Sequence, residues 1–171
     1  FIKERPLPGA GAATFSAGSG ESAEMGEVEL EDAISMIVEF ENGALGSFDA
    51  TTFAIGRQNY NYFEIYGSKG ALIWNLERMN ELQYFSGADA KGEKGFRTIL
   101  ATDPSPPYIS HWWPPAHNIG YEHEFHHAVY DFLKGIDSGE GIKPDFYDGY
   151  LIMKVLEAGI ESAEKKKQID I

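Results

Sequence analysis

The stretch Ala33–Phe53, AISMIVEFENGALGSFDATTF, decides how the rest of the chain is read. Ile34, Met36, Val38 and Phe40 recur at every second position, which puts them on one face of an extended strand. Glu41-Asn42-Gly43 follows, and Asn-Gly readily takes the positive φ angles of a tight hairpin turn. Ala44–Phe53 then returns as a second strand, so the pairing is antiparallel.

The same logic extends toward the C-terminus. Strands are expected over Tyr60–Tyr66, Ala71–Asn75, Leu82–Phe85 and Phe96–Thr102, with a turn at Gly67-Ser68-Lys69-Gly70 and a Gly/Asp/Lys loop from Gly87 to Gly95. Pro104, Pro106, Pro107, Pro114 and Pro115 then forbid regular structure across Asp103–Ala116, because each ring removes a donor and restricts its predecessor. Phe125, Ala128, Val129 and Phe132 mark a helix from Gly120 to Lys134, stopped at Gly135. A second helix is expected from an N-cap at Asp145 to about Lys166, with Leu151, Ile152, Val155, Leu156 and Ile160 as its stripe. Gln168–Ile171 reads as a short closing strand. Strands first and helices last give an α+β fold: an open, predominantly antiparallel sheet with helices packed on one face.

Upstream of the hairpin, residues 1–31 combine Pro6, Pro8, a Gly/Ala/Ser run and then an acidic stretch through Glu21, Glu24, Glu27, Glu29 and Glu31, with no period of their own. They read as an irregular arm belonging to the domain formed by residues 32–171. The GAGAAT at Gly9–Thr14 has no strand leading into it and lacks a third glycine, so it is not taken as a phosphate cradle.

Composition narrows the function. A formal charge of -13 repels phosphate backbones and anionic lipid, so neither nucleic acid nor membrane is an expected partner. The absence of cysteine excludes disulfides and thiolate chemistry. No apolar run is long enough to span a bilayer. The chain begins with Phe1 rather than Met, as expected of a processed protein or a piece of a larger one.

All five histidines fall between His111 and His127. His123, Glu124 and His127 spell H-E-x-x-H, the spacing with which a helix grips zinc. At 100° per residue from Tyr121, however, the apolar positions cluster near about 30°, whereas His123 and His127 fall near about 200° and 240°. No third ligand is indicated, so this face is expected to be polar and to meet solvent or an interface, and no metal site is assigned. The preceding loop, with His111, Trp112, Trp113 and His117, offers amphipathic rings of the kind that line sugar pockets; ordinary packing of a loop on the core explains each ring equally well. His117 and Trp112 are the candidate substrate contacts. Arg57, just after the first hairpin, either binds a hydroxyl or carboxylate or serves the surface. No catalytic or cofactor-binding residue is assigned.

Taken together, FIKERPLP (1–8), LEDAISMIVEFENGALGSFDAT (30–51), GRQNYNYFEIYGSKGALIWNLERMNELQYF (56–85), WWPPAHNIGYEHEFHHAVYDFLKGI (112–136) and PDFYDGYLIMKVLEAGIESAEKKKQIDI (144–171) resemble the C-terminal domain of the glucose-fructose oxidoreductase, inositol dehydrogenase and rhizopine-catabolism (Gfo/Idh/MocA) family. The resemblance implies an N-terminal Rossmann domain as partner, NAD or NADP in the full-length protein, a sugar or polyol substrate, homo-oligomers built through the sheet, and a cytoplasmic location. The family's Rossmann glycines, Glu-Lys-Pro lysine segment and Asp-x-x-x-His segment are missing and would lie before Phe1. The expectation is therefore a substrate-binding and oligomerisation domain of a hydride-transferring oxidoreductase, inactive and cofactor-free as an isolated fragment. A non-catalytic carbohydrate-binding or assembly module is the alternative.

Overall fold

The fold is seen in a computed structural model that describes residues 2–8 and 21–171, with the side chains of residues 21–23 excluded. The Gly9–Thr14 segment lies outside the described residues. Two compact units divide the chain, Phe1–Gly56 and Arg57–Ile171.

The first unit holds two antiparallel hairpins. β3 (Ala33–Glu39) pairs with β4 (Leu45–Thr51) in unbroken register from Ala33 opposite Thr51 to Glu39 opposite Leu45. The turn falls on the expected residues but with a different geometry: the Phe40 amide donates to the Ala44 carbonyl, the Gly43 amide donates to the Phe40 carbonyl across Glu41-Asn42, and of Asn42 and Gly43 only Gly43 takes a positive φ, 82°. Ile34, Met36 and Val38 are the half-buried face, while Ile37 points outward at 87% exposure.

An irregular arm was expected over residues 1–31, and here the structure differs. β1 (Glu4–Pro8) pairs with β2 (Glu21–Glu27), with a register shift between Pro6 and Pro8. Backbone pairing needs no side-chain period, and a strand with one neighbour tolerates proline wherever the missing N–H faces away from the ladder. Asp32 ties the two hairpins together. Its carboxylate accepts from the Ile2 amide (3.0 Å), the Arg5 guanidinium and the Thr52 hydroxyl (3.3 Å), while its carbonyl accepts from the Thr52 amide (2.9 Å). Burial alone would raise this carboxyl; the Ile2 amide, Arg5 and Thr52 outweigh it and hold Asp32 below the ordinary value, hence ionised.

The second unit carries one four-stranded antiparallel sheet whose strands sit in chain order: β5 (Tyr62–Gly67), β6 (Gly70–Asn75), β7 (Glu81–Ser86) and β8 (Arg97–Leu100). All four match expected strands to within two residues at every end. Cross-strand pairing puts Phe63, Ile65, Leu72, Trp74, Leu82 and Ile99 on one face. Two helices follow, α1 (Glu122–Ser138) and α2 (Phe146–Lys165), and the class is α+β.

α1 runs through the expected stop at Gly135 and closes at Gly139, whose φ is 69°. Gly135 has a packing role instead: a Cβ there would lie 2.4 Å from the Ile142 side chain, which folds back against the helix. α2 begins at the expected cap. Asp145 Oδ1 accepts from the Tyr147 and Asp148 amides at 2.7 and 3.1 Å, and Asp148 reciprocates on the Asp145 amide at 2.7 Å, a complete capping box. Asp145→Ala is expected to lower the melting temperature by roughly 2–4 °C, with Asp145→Ser recovering most of the loss; thermal unfolding by circular dichroism measures both. The expected closing strand at Gln168–Ile171 does not form. Phe125, Val129 and Phe132 on α1 and Phe146, Ile152 and Leu156 on α2 remain exposed. No helix of the described residues is long and apolar enough to cross a membrane.

Candidate functional site

Between β8 and α1 the proline-rich segment follows an ordered path held at both ends by one residue. The Asn80 carbonyl accepts from the Ala101 amide at 2.9 Å, where the segment begins. At its far end the Asn80 amide group donates to the Ile119 carbonyl (2.9 Å) and accepts from the Ile119 amide (3.0 Å). Midway, a short 3-10 turn (Ile109–His111) anchors the segment through Ile109, which is buried at 5% exposure.

The segment then folds back on the first turns of α1 with Trp112 at the centre. Its indole meets His123 edge-on at 4.3 Å between ring centroids and also contacts His126 and His127. Its Nε1–H donates to His127 Nε2 at 2.6 Å. Tyr108, at a φ of 70°, stacks on His127 at 4.4 Å, and its hydroxyl donates to Asp131 at 2.7 Å. His123 is buried at 6% exposure, and its Nδ1 accepts from the Gly120 amide at 3.0 Å.

This corrects the expectation that the His123–His127 face meets solvent or an interface. The wheel assumed that the apolar stripe is the buried one, but the Trp112 segment packs on the imidazoles. An indole brings flat apolar area together with a donor, so a histidine face suits it better than an aliphatic one. Among the described residues, no group of three or more His, Cys, Asp or Glu is arranged to hold a metal ion.

Because Trp112 donates to Nε2, neutral His127 carries its proton on Nδ1. Burial, aided by neighbouring His123 and His126 and opposed by Asp131, holds His127 below its ordinary value of 6.5. The folded protein therefore binds fewer protons here than the unfolded chain. Stability from this group is full above about pH 6.5 and is lost progressively as pH falls through the lower folded value. Protonation would also set two N–H groups face to face. Acidification from about pH 7.5 to about pH 5 is thus expected to weaken the loop, read as a change in tryptophan emission that His127→Gln removes.

The three candidate contacts occupy distinct settings. Trp112 uses its polar atom on His127. Arg57 lies over the Tyr60 ring at 3.7 Å and pairs with Glu77 at 3.2 Å, while Glu77 also accepts from the Gln58 amide at 2.8 Å. It braces its own loop. His117 is exposed and turns Nδ1 toward the carbonyls of Pro114 (3.0 Å) and Pro115 (3.2 Å). Ala116 before it has a φ of 71°, a strain of roughly 1–2 kcal/mol for a residue with a Cβ. Among the described residues no hydrogen bond or ring contact joins Arg57 to Trp112 or His117.

Residues 10–171 match the model of the Gfo/Idh/MocA oxidoreductase family, C-terminal alpha/beta domain. The chain belongs to this family. This Gfo/Idh/MocA domain is 39% identical, over its whole length and 44% of the relative, to levoglucosan dehydrogenase from Pseudarthrobacter phenanthrenivorans. A crystal structure of an oxidoreductase domain protein from Kribbella flavida is 43% identical and superposes with a TM-score of 0.87, covering 98% of the chain and 42% of that protein. Levoglucosan dehydrogenase in complex with NADH and levoglucosan is 40% identical with a TM-score of 0.82, over 85% of the chain and 40% of that protein. The chain thus spans less than half the length of these relatives. Sequence reading missed two parts of the domain's loop architecture, Asn80 and the Tyr108–Asp131 brace. An asparagine after a short turn carries no signal of a partner 39 residues away.

Proposed function

We propose that this domain forms the substrate side of an NAD-dependent oxidoreductase acting on a sugar or polyol, with hydride transfer completed by residues outside the chain. The observation that carries the reading is the match along the whole chain to levoglucosan dehydrogenase, which has been crystallised with NADH together with levoglucosan or L-sorbose. The exposed Trp113 and His117 on the braced loop supply the two chemistries a sugar needs, an apolar ring face and a polar edge. His117 is the leading substrate contact, with Trp112 and Arg57 as the further candidates.

The described residues do not fit a dinucleotide. Every strand pair among them is antiparallel, and none presents the strand, glycine turn and helix that hold a pyrophosphate. The nicotinamide is therefore assigned to a Rossmann domain elsewhere in the protein, and this chain alone is proposed to be inactive and cofactor-free. Phe63, Ile65 and Ile99 on the exposed apolar sheet face favour self-association through that face. A cytoplasmic location, with access to the nicotinamide pool, belongs to the same reading.

The test is a nicotinamide absorbance assay of the full-length protein with NAD and with NADP, against levoglucosan, L-sorbose, D-glucose and myo-inositol. Turnover of one sugar with NAD supports the proposal. Sugar binding without turnover by either cofactor favours a non-catalytic carbohydrate module instead, and sedimentation of the same sample reads the oligomer.

A further inference from the structure

We propose that His117 is a tautomer-locked acceptor for a substrate hydroxyl, with Nδ1 committed to the loop and Nε2 to the ligand. The inference rests on the sugar reading above and adds the atom, the proton and the direction of the hydrogen bond.

The Pro114 and Pro115 carbonyls, 3.0 and 3.2 Å from Nδ1, have lone pairs and no proton, so the bond between them and the ring exists only when Nδ1 carries the hydrogen. In the neutral ring Nε2 then holds an unshared pair. No group among the described residues engages it: the two proline carbonyls are the only partners of this ring. In a free imidazole the proton favours the other nitrogen, so the loop imposes the less common form. Three features fix this arrangement. Two consecutive prolines stiffen the backbone that supplies the carbonyls. Ala116, at a φ of 71°, turns the chain so that His117 faces back over them. Asn80 holds the segment two residues later through Ile119.

An acceptor on the same loop as the exposed indole of Trp113, four residues earlier, suits a polyhydroxylated ring. One hydroxyl donates to Nε2 and a C–H face lies on the indole.

The test uses full-length protein labelled with nitrogen-15 histidine. The expected spectrum without substrate shows His117 protonated at Nδ1; protonation at Nε2 overturns the inference. Two variants separate the ring's two tasks. His117→Asn keeps an amide N–H near the Nδ1 position, so the loop brace survives and the reach to the ligand is lost. His117→Gln carries an amide near the Nε2 position and does the reverse. For the fastest-oxidised sugar of the four above, His117→Asn is expected to raise KM roughly three- to tenfold with kcat and melting temperature nearly unchanged. His117→Gln is expected to keep KM nearer the parent value while melting lower. An unchanged KM in His117→Asn overturns the inference even if the tautomer is as expected. Parent protein that binds none of the four sugars overturns the sugar reading, and the ligand half of this inference with it; the spectrum judges the tautomer separately.

Discussion

Trp112→Ala is expected to lower the unfolding free energy by about 2–3 kcal/mol, measured by denaturant titration of the full-length protein. A fully buried tryptophan would cost about 3–5 kcal/mol, and Trp112 is only half-buried, so the loss falls below that range. The loss has three components: the edge-on contact with His123, the contacts with His126 and His127, and the hydrogen bond to His127 Nε2. Trp112→Phe separates them. It retains most of the ring area and removes the donor, for about 1 kcal/mol. It should also raise the pKa of His127, because the indole N–H stabilises the neutral imidazole. A Trp112→Phe protein as unstable as Trp112→Ala would show that the bond, and not the packing, holds the segment on α1.

Asn80→Ala is expected to cost about 2 kcal/mol, since two half-buried hydrogen bonds to Ile119 are lost and neither Ile119 group regains a protein partner. The effect should be local in a way that hydrogen exchange can read. The Ile119 amide loses protection, whereas the Ala101 amide keeps it, because Ala101 is held by the Asn80 backbone carbonyl, which the substitution leaves in place. Asn80→Asp should retain protection at Ile119 through the remaining acceptor oxygen but still destabilise, because its second oxygen faces the Ile119 carbonyl. Equal loss of protection at both ends would mean that the segment opens as one piece.

The parts of the fold that were legible in the sequence were those set by local rules. The β3–β4 hairpin follows from period two and Asn-Gly, and the α2 start follows from Asp145. What was not legible depended on partners distant in the chain. β1 and β2 find each other without any side-chain pattern, so proline and glutamate content pointed to an arm. Gly135 carries the composition of a helix stop, but Ile142 needs its missing Cβ. For the candidate site, the sequence put forward His117, Arg57 and Trp112, but no local pattern told that Arg57 is taken up by Glu77 and Tyr60 or that Trp112 donates to His127. It misjudged the His123–His127 face, because a wheel ranks the faces of one helix by polarity and knows nothing of an indole arriving from outside it.

The turn that made the fold readable also sets how the protein ages. Asn-Gly is the peptide bond most prone to deamidation, which begins when the glycine nitrogen attacks the asparagine side-chain carbonyl. In the intact hairpin Asn42 Oδ1 is engaged by the Ala44 amide, and the Gly43 amide is turned toward the Phe40 carbonyl. Both atoms of that reaction are thus restrained by the hydrogen bonds that close the hairpin. Succinimide formation at Asn42 becomes a clock that runs slowly while β3 and β4 stay paired and quickens when they part.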